Sequence, residues 1–202
     1  MAEATHMAEA AQMTGMPPML AYTIRSPIQT GATPFIRVGQ GNSAQIIRPN
    51  QTPADNSYWI VILDATKPAT KVQDWVIPGQ NNTTVPSNLD QYMSNPGYLF
   101  AVVTQVLSNP SVPQGAFYNY LASHGAGREL QKLEQISSHT QTGYGLFTRV
   151  SYILTGQCGP TGGAAYECSS FTDAALLLMS LMPLPNGQPP YSICDSYTFV
   201  TN

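Results

Sequence analysis

Three long apolar runs constrain this chain more than anything else in it: YWIVILD at 58–64, YLFAVVTQVL at 98–107 and RVSYILT at 149–155. Each is rich in β-branched and aromatic residues and bounded by turn-forming residues, which favours strands over helices. The apolar character is continuous rather than alternating, as in a central strand covered on both faces. Side by side, the three runs form the heart of one sheet with amphipathic helices laid over it.

The rest of the chain fills in around them. AYTIRSPIQT at 21–30, TPFIRVG at 33–39 and SAQIIRP at 43–49 read as three early strands, the last two separated by a Gly-Gln-Gly turn. ATKPAT is a turn, and KVQDWVIP at 71–78 returns as a hairpin partner of the first core strand. A short helix, NLDQYMS, closes at Asn95-Pro96. From Ala116 to Ser138, Phe117, Tyr120, Leu121, Leu130, Leu133 and Ile136 recur at helical spacing, and Gly125-Ala126-Gly127 divides that stretch in two. Gly156 ends the third core strand, and a loop carrying Cys158 and Cys168 follows. TDAALLLMSLM at 172–182 is expected to be a helix, with Thr172 as N-cap, Asp173 in its first turn and Pro183 as its stop. Residues 191–200 form a final strand. Strands, then helices, then strands again predict an α+β fold. The expected form is a compact single-domain sandwich with a mainly antiparallel central sheet and two to four short helices. Residues 1–20, with MAEA repeated at Met1 and Met7, are set apart as a flexible arm or a cloning remnant, and 21–202 as one globular domain.

Composition narrows the function. Apolar residues make up 43% of the chain but charged residues only 9%, against a typical quarter. A surface built from Asn, Gln, Ser, Thr and Tyr has little charge repulsion and favours association. Net charge is −3 with no Lys/Arg cluster in the sequence, which removes the electrostatic driver for nucleic acid. The longest apolar run, Ala174 to Met182, is too short to span a bilayer. Met1 to Leu20 lacks the basic and apolar regions of a secretory signal as written, and the mature form of an exported protein would look the same. An extracellular or particle-surface setting is the expectation.

Catalytic patterns are missing: no GxSxG elbow, no Walker loop and no GxGxxG after a strand. No cofactor site and no metal-ligand spacing stand out. His6 lies in the arm, His124 precedes a Gly break and His139 follows a helical stretch, so capping explains the last two more cheaply than catalysis. Cys158 with a histidine is the best nucleophile–base pair on offer, and a structural role for Cys158 is preferred. Asp64 and Asp74 flank the hairpin, with Asp64 read as turn-forming. The cysteine count is odd: Cys158 pairing with Cys168, a pairing with Cys194, and three buried thiols all stay open, with a disulfide slightly preferred. Two tryptophans and eleven tyrosines offer flat amphipathic area for sugar faces and protein interfaces alike.

Four segments, in order, resemble the ILEI/PANDER-like domain, named for an interleukin-like inducer of epithelial–mesenchymal transition. YWIVILDATKPATKVQDWVIP is similar to that family's strand–turn–strand, and NLDQYMSNPGYLFAVVTQ to its short helix and Pro/Gly step into a buried strand. FYNYLASHGAGRELQKLEQI resembles its helical segment with small residues, and LFTRVSYILTGQCG its closing strand. The resemblance covers about residues 33 to 163 and leaves 164–202 as a C-terminal extension. It implies a compact α/β sandwich without a catalytic site, in a family of secreted signalling proteins and sugar-binding modules. In the stem domain of an O-mannose N-acetylglucosaminyltransferase, a carboxylate after the second buried strand and an Arg before the last strand hold the sugar. Those positions fall on Gln105 and Arg149 here, an amide replacing the carboxylate.

The expected function is therefore a non-catalytic module recognising a carbohydrate or protein partner, with Arg149, Gln105, Trp75 and Tyr152 as candidate ligand-binding residues. A self-assembling structural subunit, a homo-oligomer, is the alternative.

Overall fold

A computed structural model describes residues 17–141, 149–160, 164–184, 186 and 189–199. Ten strands build two antiparallel sheets. β1 (Leu20–Ser26), β2 (Phe35–Val38), β3 (Gln45–Ile47), β9 (Ala175–Pro183) and β10 (Tyr191–Phe199) make the first sheet, in the order β10-β9-β1-β2-β3. β4 (Ser57–Asp64), β5 (Lys71–Pro78), β6 (Tyr98–Gln105), β7 (Ser151–Gln157) and β8 (Ala165–Ser170) make the second, in the order β5-β4-β6-β7-β8. Three helices, α1 (Leu89–Met93), α2 (Gly115–Ser123) and α3 (Arg128–Gln141), complete the described elements.

The three apolar runs are β4, β6 and β7, adjacent at the centre of the second sheet. Their continuity has a direct cause. Trp59, Val61, Leu63, Leu99, Ala101, Val103 and Ile153 face a core between the two sheets. Tyr58, Ile60, Ile62, Phe100, Val102, Tyr152 and Leu154 face a second core, against the helices. Alternate residues on each strand thus meet different layers, so both sets are mainly apolar and the few polar ones are buried with hydrogen-bond partners. The molecule is a three-layer stack of sheet, sheet and helices.

Buried polar groups tie the two sheets together. Ser26 on β1 donates to Thr104 O (2.8 Å), and the Thr104 hydroxyl accepts from the Tyr152 backbone N–H (2.8 Å). Tyr22 on β1 and Thr155 on β7 share a hydroxyl contact at 3.4 Å. The Gly125–Gly127 step separates α2 from α3 as expected. Gly125 has φ +94, and a Cβ there would sit 2.6 Å from Ala165 Cβ, so the helices close onto β8 only through glycine.

Three expectations are corrected. TDAALLLMSLM is not a helix: Ala175–Pro183 is strand β9, between β1 and β10. Ala175, Leu177, Met179 and Leu181 point into the core between the sheets, while Leu176, Leu178 and Ser180 are half-buried on the other face. A run of leucines supports either period, and tertiary pairing overrides its helix propensity. Residues 165–170, read as loop, form β8 and pair with β7. Residues from 164 onward, set apart as an extension, supply three of the ten strands and are integral to both sheets.

The cysteines correct a fourth. All three stand as thiols. Cys168 lies in the core between the sheets and Cys158 in the core under the helices, on opposite faces of the second sheet. Their Cβ vectors therefore point apart, which no disulfide accommodates. Cys194 sits on β10 in the other sheet, its Sγ 3.4 Å from Ser180 O.

Candidate functional site

β5 is the edge strand of the second sheet, with the helix-side face of its Trp75 opposite Ile60. The ring lies at the margin of the sheet and is half-buried. Tyr92 from α1 holds it edge-on, centroids 5.7 Å apart at 71°, and Tyr98 at the start of β6 follows 6.0 Å beyond Tyr92. The result is a ladder of three rings fixed by two strands and a helix. Edge-on packing of this kind limits ring motion and leaves an aromatic surface open.

Beside the ladder lies a cleft of about 250 Å³, lined by Trp75, Val76, Ile77, Pro78, Asn81, Thr84 and Pro86. Two proline residues and a 3-10 turn at Gly79–Asn81 shape its wall. The turn is tight: Gly79 N donates to Asn56 O (2.7 Å), and a Cβ on Gly79 would collide with Asn56 at 2.7 Å. Asn82 anchors the loop from beneath, its amide donating to Val112 O (2.7 Å) and Pro110 O (3.1 Å). Asn81 and Thr84 are exposed at the rim and supply an amide and a hydroxyl. A shallow apolar cleft with one rigid aromatic and few polar groups suits a flat amphipathic ligand.

The other three candidates are not gathered here. Tyr152 is fully buried, and its hydroxyl donates to Glu167 Oε2 (3.0 Å). That carboxylate also accepts from Leu130 N (2.9 Å) and from Gly127 N, at the start of α3. Tyr152 is thus a positioning residue for the acid that caps α3, with no ring face to offer. Burial, then the Glu167 charge, pushes its phenol well above the ordinary tyrosine range.

Gln105 is 2% exposed. Its Nε2 donates to Asp55 Oδ1 (3.2 Å), while its Oε1 meets no hydrogen-bond donor among the described residues. The next residue, Val106, has φ +46, a strained conformation for a β-branched side chain. Arg149 is exposed and precedes Val150, which bridges to Leu107. Gln105 and Arg149 therefore sit at the same end of the second sheet, but among the described residues no hydrogen bond or ion pair joins them. Nor does Arg149 meet Asp74, which is held by Trp59 Nε1 (3.0 Å), Asn50 (2.6 and 2.9 Å) and Lys71 (3.1 Å).

The candidate catalytic groups are engaged elsewhere. Burial pushes the Cys158 thiol up to about 12, the opposite of an activated thiolate. His124 is the C-cap of α2, its Nδ1 2.8 Å from Tyr120 O and its ring against Tyr120. Asp64 closes a turn, accepting from Thr66 N and Thr66 Oγ1, both at 2.7 Å. Slight burial raises its pKa, but those bonds, the Lys67 backbone N–H and the Lys67 charge outweigh it and hold the carboxyl below the usual range. His6 lies outside the described residues, as does the side chain of His139.

A second cleft, of about 420 Å³, lies between α2 and α3 and includes Gln114, Tyr118, Asn119 and Glu134. Its Tyr118 phenol is pushed up by burial and by Glu134 beside it, so its polar groups already face one another. The ring ladder was not legible in sequence. Trp75, Tyr92 and Tyr98 are spread over three elements, and only the packing of α1 on the sheet brings them into line. Comparison with models of known families, with curated proteins and with solved structures finds no match.

Proposed function

We propose that this chain is a non-catalytic binding module and that the Trp75 cleft is its carbohydrate contact. The observation that carries this reading is the half-buried Trp75, locked by Tyr92 beside a 250 Å³ cleft with Asn81 and Thr84 at its rim. A pyranose presents an apolar C–H face and a ring of hydroxyls. The Trp75 ring supports the first and the rim amide and hydroxyl bond the second. The resemblance to ILEI/PANDER-like domains agrees with a sugar-binding role but points to Gln105 and Arg149. That corner contributes a strained Val106 and an orphaned amide oxygen, and it takes second place because Gln105 is buried and exposes no ring or side-chain group to a ligand.

A glycan array with the whole chain identifies ligands, and calorimetry on the strongest compares variants. Trp75→Ala is expected to weaken binding by about tenfold or more, roughly 1.4 kcal/mol. Arg149→Ala is expected to leave it within about twofold. The opposite pattern would move the site to the Gln105 corner, and an array without a single reproducible ligand would remove the carbohydrate reading.

A further inference from the structure

The two faces of the sandwich are finished differently. The helices cover the outer face of the second sheet, and among the described residues nothing packs on the outer face of the first. Register defines what that face shows. One row runs Leu176–Arg25–Phe35 across β9, β1 and β2, and the next runs Leu178–Thr23–Arg37–Ile46 across β9, β1, β2 and β3. Arg48, just past β3, lays its guanidinium 5.9 Å from the centre of the Phe35 ring. Three of the chain's five arginines thus share one uncovered face, in a protein of net charge −3.

Their charges meet no acidic partner among the described residues. Among the described residues the ion pairs are Lys71–Asp74 and Lys132–Glu129, and no carboxylate reaches Arg25, Arg37 or Arg48. Arg37 donates only to Gly41 O (3.0 Å). Half-buried Phe35 lies between Arg25 and Arg48, and half-buried Leu176 and Leu178 continue the apolar floor on β9, on the other side of Arg25. At the margins Ile46 is 55% exposed, Met182 44% and Met19 47%. Exposed apolar area rimmed by charge marks an interaction surface.

We infer that this face docks an extended acidic segment of another polypeptide. Arg25 and Arg37 are diagonal neighbours on β1 and β2, about 7–8 Å apart at the backbone, and Arg48, just past β3, stands across Phe35 from Arg25 as a third anchor. Carboxylates two residues apart on an extended chain are spaced by about 6.6 Å, close to that interval. Each guanidinium fork takes a carboxylate through two hydrogen bonds. A second copy packed face to face is disfavoured, because it would oppose three arginines with three arginines. A lipid surface is disfavoured because Phe35, the apolar side chain among the arginines, is half-buried with a guanidinium over its ring.

The probe is a fluorescent Glu-Ser repeat peptide, titrated with the whole chain and followed by anisotropy. Parallel arms use a Lys-Ser peptide, polygalacturonate and phosphatidylserine-containing vesicles. The Glu-Ser peptide is expected to bind, more weakly as salt rises. Affinity should fall about tenfold in Arg37→Gln and vanish when Arg25, Arg37 and Arg48 are all glutamine. Arg37 is exposed and bonds only a loop carbonyl, so its variant decides the matter even if the triple variant fails to fold. Near-UV circular dichroism checks the fold. No binding of the Glu-Ser peptide, equal binding by Arg37→Gln, or binding of vesicles or polygalacturonate alone would overturn the inference. The test is independent of the Trp75 cleft, which lies on the other sheet.

Discussion

Glu167 shows how much one residue carries in a chain so poor in charge. From β8 it accepts from two backbone N–H groups at the start of α3 and from the Tyr152 hydroxyl. Removing it strands three donors at once, two of them on the buried residues Leu130 and Tyr152. Glu167→Ala is expected to cost about 2–3 kcal/mol of unfolding free energy, read from urea denaturation, with Glu167→Gln recovering part of it. Gly125 works by absence. Its φ of +94 and the 2.6 Å approach to Ala165 combine strain with collision, whereas Gly31 has φ +78 and open space around it. Gly31→Ala should lose about 1 kcal/mol and Gly125→Ala clearly more. Equal losses would mean that the contact with Ala165 adds nothing. Cys158 gives a pH signature. Its thiol is raised from 9.0 to about 12, so the unfolded chain ionises first as pH rises. The stability tied to that thiol is intact below about pH 9 and drains away as pH climbs toward 12. Tyr22 and Tyr58, raised by burial, act in the same direction. Urea midpoints should hold from neutral pH to about 8.5 and then fall. Alkylation under native conditions should label half-buried Cys194 ahead of buried Cys158 and Cys168.

At the scale of elements, β9 is the instructive one. It pairs with β1 on one side and β10 on the other, and every second side chain enters the core between the sheets. Leu177→Ala is expected to cost about 2–5 kcal/mol, from lost burial and the cavity left behind. Leu178→Ala, on the half-buried outer face, should cost less than half as much. A helix over 172–182 would distribute the effects at a period near four instead of two, so a short alanine scan reads the period directly. The three central strands carry the opposite lesson. Both faces of β4, β6 and β7 meet apolar layers, and the sequence announces this by long runs with few polar positions. The polar tips of their aromatics need support, and the Trp59 indole N–H finds Asp74 across the hairpin, as the Tyr152 hydroxyl finds Glu167.

At the scale of the molecule, the stack of sheet, sheet and helices is one cooperative unit. The first sheet cannot close without the C-terminal strands, since β9 lies between β1 and β10. A chain ending at residue 163 is expected to show no cooperative thermal transition, a result that calorimetry gives directly. A folded, cooperative fragment would restore the view of 164–202 as an appendage. The two outer faces diverge in the same way. One is capped by helices and bears a rigid aromatic ladder at its edge, while the other carries three arginines that meet no carboxylate among the described residues.

How much of this was legible depends on range. The sequence alone determined the buried centre, the β4–β5 hairpin, the glycine break between α2 and α3 and the α+β class. Those features follow from local periodicity, turn chemistry and runs too apolar to lie anywhere but inside. It also offered Trp75, among its tryptophans and tyrosines, as flat amphipathic contact area. Tertiary structure alone decided the fate of the leucine run, the separation of Cys158 from Cys168 onto opposite sheet faces, and the burial of Tyr152 against Glu167. It alone lined up Trp75 with Tyr92 and Tyr98, and Arg25 with Arg37 and Arg48. The physical reason lies above local spacing: the leucine run takes its period from pairing with β1, far away in the chain, and the other outcomes follow from strand register and from which layer packs on each face, neither of which the spacing of residues along the chain records.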